Sequence, residues 1–173
     1  MGYVVDMQEF ERTAKMSGVF SAVEIDLLHE TLLSWKSSPG DPYTVLELRD
    51  GKTLVAYAII SKVNGRDSTY DIRYTVIDRD YRSSAGGQRL LELIDEHILA
   101  NHSYGVIRLE TSGRKLSALG AGSFEQNGYR QIGHIAGYYG ENDDYYYFVK
   151  TVYRQAPKPT PPVEALADDQ LPS

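Results

Sequence analysis

The chain has 173 residues and a mass of 19.4 kDa, the size of one domain; with 42% hydrophobic and 24% charged residues it is neither wholly disordered nor fibrous. A net charge of −6 and a pI near 5.2 argue against a backbone-led nucleic-acid partner, and the absence of cysteine excludes disulfides, thiolate catalysis and cysteine-ligated zinc. No basic-then-apolar leader and no run of about 18 uncharged apolar residues occurs, so a soluble, cytoplasmic protein with no membrane partner is expected.

The first clear helix begins at Ser21, whose hydroxyl and the Glu24 carboxylate have the spacing of a capping box, with Phe20 and Ile25 as a hydrophobic staple. Val23, Leu27, Leu28, Thr31, Leu32 and Trp35 follow at spacings of three and four, a face suited to a core. His29 beside it reads as structural, since no second histidine or carboxylate pair is spaced to make it a ligand.

Residues 43–48 and 53–61 read as strands joined by Asp50-Gly51, a tight hairpin turn. A second turn at Asn64-Gly65 leads to a strand over 69–78, in which Tyr70, Ile72, Tyr74 and Val76 alternate with Asp71, Arg73 and Thr75. After a loop over 79–87 comes a helix with Leu90, Leu91, Leu93, Ile94, Ile98 and Leu99 on its apolar side, and with His97 and His102 at its surface. A strand over 105–111, a short glycine-weakened helix over 116–126, and strands over 130–136 and 145–152 complete the order. Strand-helix-strand crossovers set their strands parallel, so the expected class is α+β with a mixed sheet flanked by helices. Residues 1–154 form the expected domain. Residues 155–173, with five of the seven prolines, read as a disordered tail that carries −2 of the net charge.

The strand-to-helix loop is where chemistry is expected. Arg82-Ser83-Ser84-Ala85-Gly86-Gly87 is rich in residues with little side chain, so a ligand can approach the backbone, and free amides at a helix N-terminus suit phosphate. This run resembles the Arg/Gln-x-x-Gly-x-Gly/Ala pyrophosphate loop of the GNAT superfamily of acyl-CoA-dependent N-acyltransferases. The strand before it looks like the family's fourth strand, and Phe124-Glu125-Gln126-Asn127-Gly128-Tyr129 looks like its (Phe/Tyr)-Glu-Lys-x-Gly-Phe signature. The likeness spans roughly residues 17–152 and implies a GNAT-like three-layer fold around a mixed central β-sheet.

The resemblance further implies an N-acetyltransferase that moves an acetyl group from acetyl-CoA to a primary amine, on a small molecule or a peptide, by direct attack in a ternary complex. Main-chain groups of Val76 and Asp78 would pair with the pantetheine arm, and an amide near Val76 or Ile77 would bond the thioester carbonyl. Arg82 and the amides of Ser83, Ser84, Ala85, Gly86, Gly87 and Gln88 would hold the pyrophosphate. Phe124 would sit by the cofactor, where many members carry the tyrosine that protonates the departing thiolate. Ala85 replaces a usual glycine, at a cost of roughly 1 kcal/mol if positive φ is needed there.

Glu110 resembles the strand-five glutamate that serves some members as base, with Asp71 and Glu47 as weaker choices. Tyr139, ahead of Tyr138 and Tyr74, is the candidate acid. Glu141, Asp143 and Asp144 in the last hairpin suit attraction of a cationic amine; with Asn142 they lack the ligand order of an EF-hand, and no metal is expected. Homodimers are frequent in families of this kind. The rival reading, prompted by Ala85 and Phe124, is a non-catalytic acyl-CoA-binding or protein-interaction module on the same fold.

Overall fold

A computed structural model describes residues 5–82, 85–120 and 122–155. The proposed tail therefore lies outside the described residues except for Gln155. In chain order the elements are α1 (Met7–Ser17), α2 (Ala22–Ser37), β1 (Tyr43–Asp50), β2 (Thr53–Lys62), β3 (Thr69–Ile77), a 3-10 turn (Arg79–Tyr81), α3 (Gly86–Asn101), β4 (Tyr104–Ser112), α4 (Gly113–Leu119), α5 (Ser123–Gln126), β5 (Arg130–Gly140) and β6 (Asp143–Tyr153). One six-stranded sheet, in the order β1-β2-β3-β4-β6-β5, forms the middle layer. The β3–β4 pair is parallel and all other neighbours are antiparallel. The crossover argument holds for β5 in direction only: it runs the same way as β4, but β6 lies between them.

Two apolar cores pack on opposite faces of this sheet. On one, Phe10 and Ala14 of α1 and Leu28 and Leu32 of α2 meet Leu54, Tyr57, Ile59 and Val76. On the other, Leu90, Leu91, Ile94 and Ile98 of α3 meet Ala56, Ala58, Ile60, Ile72, Ile107, Leu109 and Phe148. These are the expected three layers. Full burial of each large side chain contributes roughly 1.5–3 kcal/mol before entropy is counted.

α1 was not expected, yet its signals are local. The Asp6 carboxylate accepts from the Gln8 amide at 3.0 Å, Phe10, Ala14 and Ser17 recur on one face, and Gly18 stops the helix. Phe10 is fully buried and its carbonyl accepts from the Tyr57 hydroxyl at 2.9 Å. α2 begins with the expected capping box, its two bonds at 3.2 and 2.7 Å. Its expected core face is only half right, because Leu28 and Leu32 are buried whereas Val23 and Leu27 are exposed. The proposed helix over 116–126 is two short helices, broken where Gly120 and Gly122 take positive φ, which a side chain would resist.

The alternation read along β3 fails at one point. Ile60 pairs with Ile72 but Ile59 pairs with Tyr74, so Arg73 is the extra residue of a β-bulge. A one-residue insertion flips the faces: Tyr70 and Ile72 join the α3 core, whereas Tyr74 and Val76 join the α1–α2 core.

Ion pairs fasten the first two helices to the remainder. Glu9 takes both nitrogens of the Arg49 guanidinium at 2.9 and 3.1 Å, and Glu24 takes Lys115 Nζ at 2.6 Å. Burial pushes both carboxyls up, but bonds from Arg49 and the Leu54 amide, and from Lys115 and the Ser21 amide, outweigh it, so both titrate below the ordinary 4.5. A carboxyl whose pKa is depressed by folding stabilises fully above its unfolded value and loses that stabilisation as pH falls through the folded one. The melting temperature is therefore expected to hold from neutrality to about pH 5 and to fall below it. Thermal scans should show a shallower acid slope in Glu24→Gln; an identical slope would remove Glu24 from the linkage.

Candidate active site

The pairing of β3 with β4 stops at Ile72 and Leu109. Beyond that point the Arg73 bulge re-aims β3, and β4 continues alongside β6 to Ser112. The two strands diverge, leaving one edge of β3 without a partner strand. The Asp78 amide donates to the Val55 carbonyl at 2.8 Å and its carbonyl accepts from the Tyr81 amide at 2.9 Å, so both of its main-chain groups are taken. In an antiparallel ladder the direction alternates. The main-chain groups of Val76 thus turn to β2 with those of Asp78, and those of Thr75 and Ile77 face the gap. The pantetheine pairing expected at Val76 and Asp78 thus meets main-chain groups turned to β2, and Thr75 and Ile77 are the alternative on the gap side.

At the foot of the gap, α3 starts at Gly86 with no side-chain cap, and its first helical bond is Arg89 N to Ala85 O at 2.9 Å. The amides of Gly86, Gly87 and Gln88 have no partner within the helix. Ser83 and Ser84 lie outside the described residues. Ala85 has φ −62°, so the strain considered for alanine does not arise. A Cβ on Gly87 would stand 2.9 Å from the Leu119 carbonyl; this glycine permits α3 and α4 to touch. The Arg82 guanidinium bonds the Ser17 carbonyl, and its buried Nε has no partner. Uncapped amides at a helix N-terminus fit a diphosphate. A small slot of about 10 Å³ is lined by Thr75 and Ile77 of β3, Lys115, Ala118 and Leu119 of α4, and Ser17 and Val19.

On the α2 side the gap opens into a cleft of about 440 Å³. Glu24 and Leu27 form one wall, Asp71, Arg73 and Tyr74 of β3 and Arg108 and Glu110 of β4 the floor, and Lys115, Tyr139 and Tyr147 the remainder. Glu110 lies opposite Tyr147 in the ladder, and Tyr145 is on the same face two residues away. Burial first, and the neighbouring Glu110 carboxylate second, push the Tyr145 pKa up to about 12. Tyr139, half exposed, is also raised, by burial and then by the Glu110 charge, so it keeps its proton at neutral pH. Tyr138, Tyr139 and Tyr145 pack together with centroids 4.9–6.3 Å apart.

Other sequence candidates fall elsewhere. Glu47 bonds Arg49 at 2.8 Å, far from the cleft lining. Asp71 is in the cleft but held by Arg108 at 2.7 and 2.9 Å. Asp144 fastens the hairpin, bonding His134 at 2.7 Å and the Gly137 amide at 2.9 Å. Asp143 accepts from the Arg114 amide at 3.3 Å. Phe124, expected beside the cofactor, is 3% exposed, stacks on Phe148 and meets Tyr129 edge-on, each at 5.3 Å, and lines neither the cleft nor the slot described above. An aromatic ring on a four-residue helix turned toward α3 is drawn into the core.

No protein-family profile and no curated protein matches the sequence. Solved structures do. A protein from Desulfovibrio desulfuricans described as an acetyltransferase of the GNAT family superposes with a TM-score of 0.72 at 20% identity, over 83% of this chain and 91% of that one. The chain has the GNAT fold. The aminoglycoside 6'-N-acetyltransferase from Enterococcus faecium has a TM-score of 0.65 at 13% identity, over 91% and 97% of the two chains. An aminoglycoside 6'-N-acetyltransferase complexed with coenzyme A has the same TM-score and identity, over 89% and 93%. Among the described residues of this GNAT-fold chain, no helix is long and apolar enough to cross a membrane.

Arg73, Lys115, Tyr145 and Tyr147 were not singled out as site residues. Strand parity counted from Glu110 predicts Arg108 on its face, but which strand lies beside β4 depends on tertiary pairing.

Proposed function

We propose that the protein is an N-acetyltransferase that moves the acetyl group of acetyl-CoA to a primary amine by direct attack. The observation that carries this reading is the divergence of β3 and β4 after Ile72 and Leu109, with unpaired main-chain groups on one side and Glu110 on the other. The amides of Gly86, Gly87 and Gln88, with Arg82, would hold the diphosphate, and those of Thr75 and Ile77 would align the pantetheine arm as a further strand. The coenzyme supplies an acyl carbon activated as a thioester.

Glu110 holds the incoming ammonium and takes its proton, so that the nitrogen lone pair is free to form the N–C bond. The C–S bond breaks, the sulfur leaves with the electron pair and takes a proton from Tyr139, and the nitrogen, now bonded to the acyl carbon, gives its remaining extra proton to the tyrosinate so formed; Glu110 returns its own proton to water. Tyr145 and Tyr147 flank Glu110 on the same face of the sheet and restrict its side chain. Fixed geometry supplies much of the acceleration, on the order of several kcal/mol. Of the two features that prompted the non-catalytic reading, the Ala85 strain does not arise, since its φ is −62°; Phe124 supplies no proton, and on this reading Tyr139 takes that part. Purified protein with acetyl-CoA is expected to release free thiol only when an amine is added. Coenzyme binding without amine-dependent release across a broad panel would favour the binding module.

A further inference from the structure

The charges of the cleft do not cancel in pairs. Glu24, Asp71 and Glu110 face Arg73, Arg108 and Lys115. Lys115 closes on Glu24 at 2.6 Å and Arg108 closes on Asp71 at 2.7 Å. Glu110 and Arg73 are the remainder, and neither enters an ion pair among the described residues.

Their position explains why they stay apart. Each is the first residue beyond the last β3–β4 pair, Ile72 with Leu109, and each shares the face on which Asp71 and Arg108 meet. Adjacent strands lie about 4.8 Å apart while paired, but the bulge at Arg73 carries β3 away at this step. One carboxylate and one exposed guanidinium, neither of them ion-paired among the described residues, therefore stand across an open cleft. A ligand complementary to both carries an amine and an anion. An alkylamine or polyamine would leave Arg73 without a counter-charge, and a second ammonium would oppose it.

We infer that the acceptor is a free amino acid, its amine at Glu110 and its carboxylate on the fork of Arg73, an inference that rests on the transferase reading above. A planar guanidinium matches a carboxylate with two parallel bonds, and Leu27, Tyr74 and Tyr147 give the side chain an apolar wall. Acetylation removes the amine's positive charge and leaves the carboxylate, so the product matches only half of the site and is released.

The test compares leucine, leucine amide and 3-methylbutylamine, both as ligands of the coenzyme-free protein by calorimetry and as acceptors in the thiol-release assay. Leucine is expected to be preferred over the other two by at least about tenfold in affinity and in kcat/KM. Arg73→Gln should bring that ratio to near unity, and Arg73→Glu should reverse it; Arg73 is exposed, so neither change burdens folding. Equal use of leucine and its amide by the native protein, or an unchanged ratio in Arg73→Gln, overturns the inference while leaving the transferase reading intact. Absence of thiol release with every amine overturns the transferase reading, and the inference with it.

Discussion

Glu110→Gln is expected to lower kcat by roughly 100- to 10,000-fold, the range for loss of a positioned general base, with coenzyme affinity retained. The amide is isosteric, but it takes no proton from an ammonium. Glu110 stands alone in this role for a structural reason: the other cleft carboxylates, Glu24 and Asp71, are neutralised by Lys115 and Arg108. A second signature follows from the acid–base logic. Raising the pH supplies unprotonated amine from solution, so the deficit of the variant should narrow at alkaline pH. Steady-state kinetics over pH 6–10 on both proteins would show it, and native-like turnover by the variant at neutral pH would remove Glu110 from the mechanism.

Phe124→Ala is expected to destabilise the fold by about 3–5 kcal/mol, the usual cost of deleting a buried phenylalanine. The ring is 3% exposed and bridges Phe148 of β6 and Tyr129, itself buried with its hydroxyl unpartnered. Removing it leaves a cavity that a four-residue helix between Gly122 and Gly128 fills poorly. At this chain length the melting temperature should drop by roughly 6–20 °C. Denaturant unfolding measures the loss directly, and a change under 1 kcal/mol, well below the ~3 kcal/mol floor, would show that this ring is not packed as described.

The fold was largely legible because its signals are short-range. The Asp50-Gly51 hairpin, the Ser21–Glu24 capping box and the apolar repeat of α3 each lie within one turn or one helix, and the structure has all three. α1 carried signals of the same kind, an Asp6 cap and a Phe10–Ala14–Ser17 stripe, but its mean polarity hid them. The missed bulge in β3 has another origin. Nothing in Ile72-Arg73-Tyr74 announces a bulge, because an inserted residue is defined by its partner strand. Phe124 matched a motif position, but which way its ring turns depends on Phe148, 24 residues further on.

The sequence by itself determined the order of elements, the small-residue turn before α3 and the placing of Glu110 near the end of a strand, since propensity, capping and periodicity act over a few residues. Tertiary structure alone decided that β6 inserts beside β4 and brings Tyr145 and Tyr147 to Glu110, that Asp71 and Glu24 are spent on ion pairs, and that Arg73 is not. Those outcomes depend on which distant strands share hydrogen bonds, and the free energy that selects the pairing is summed over the whole sheet and both of its cores.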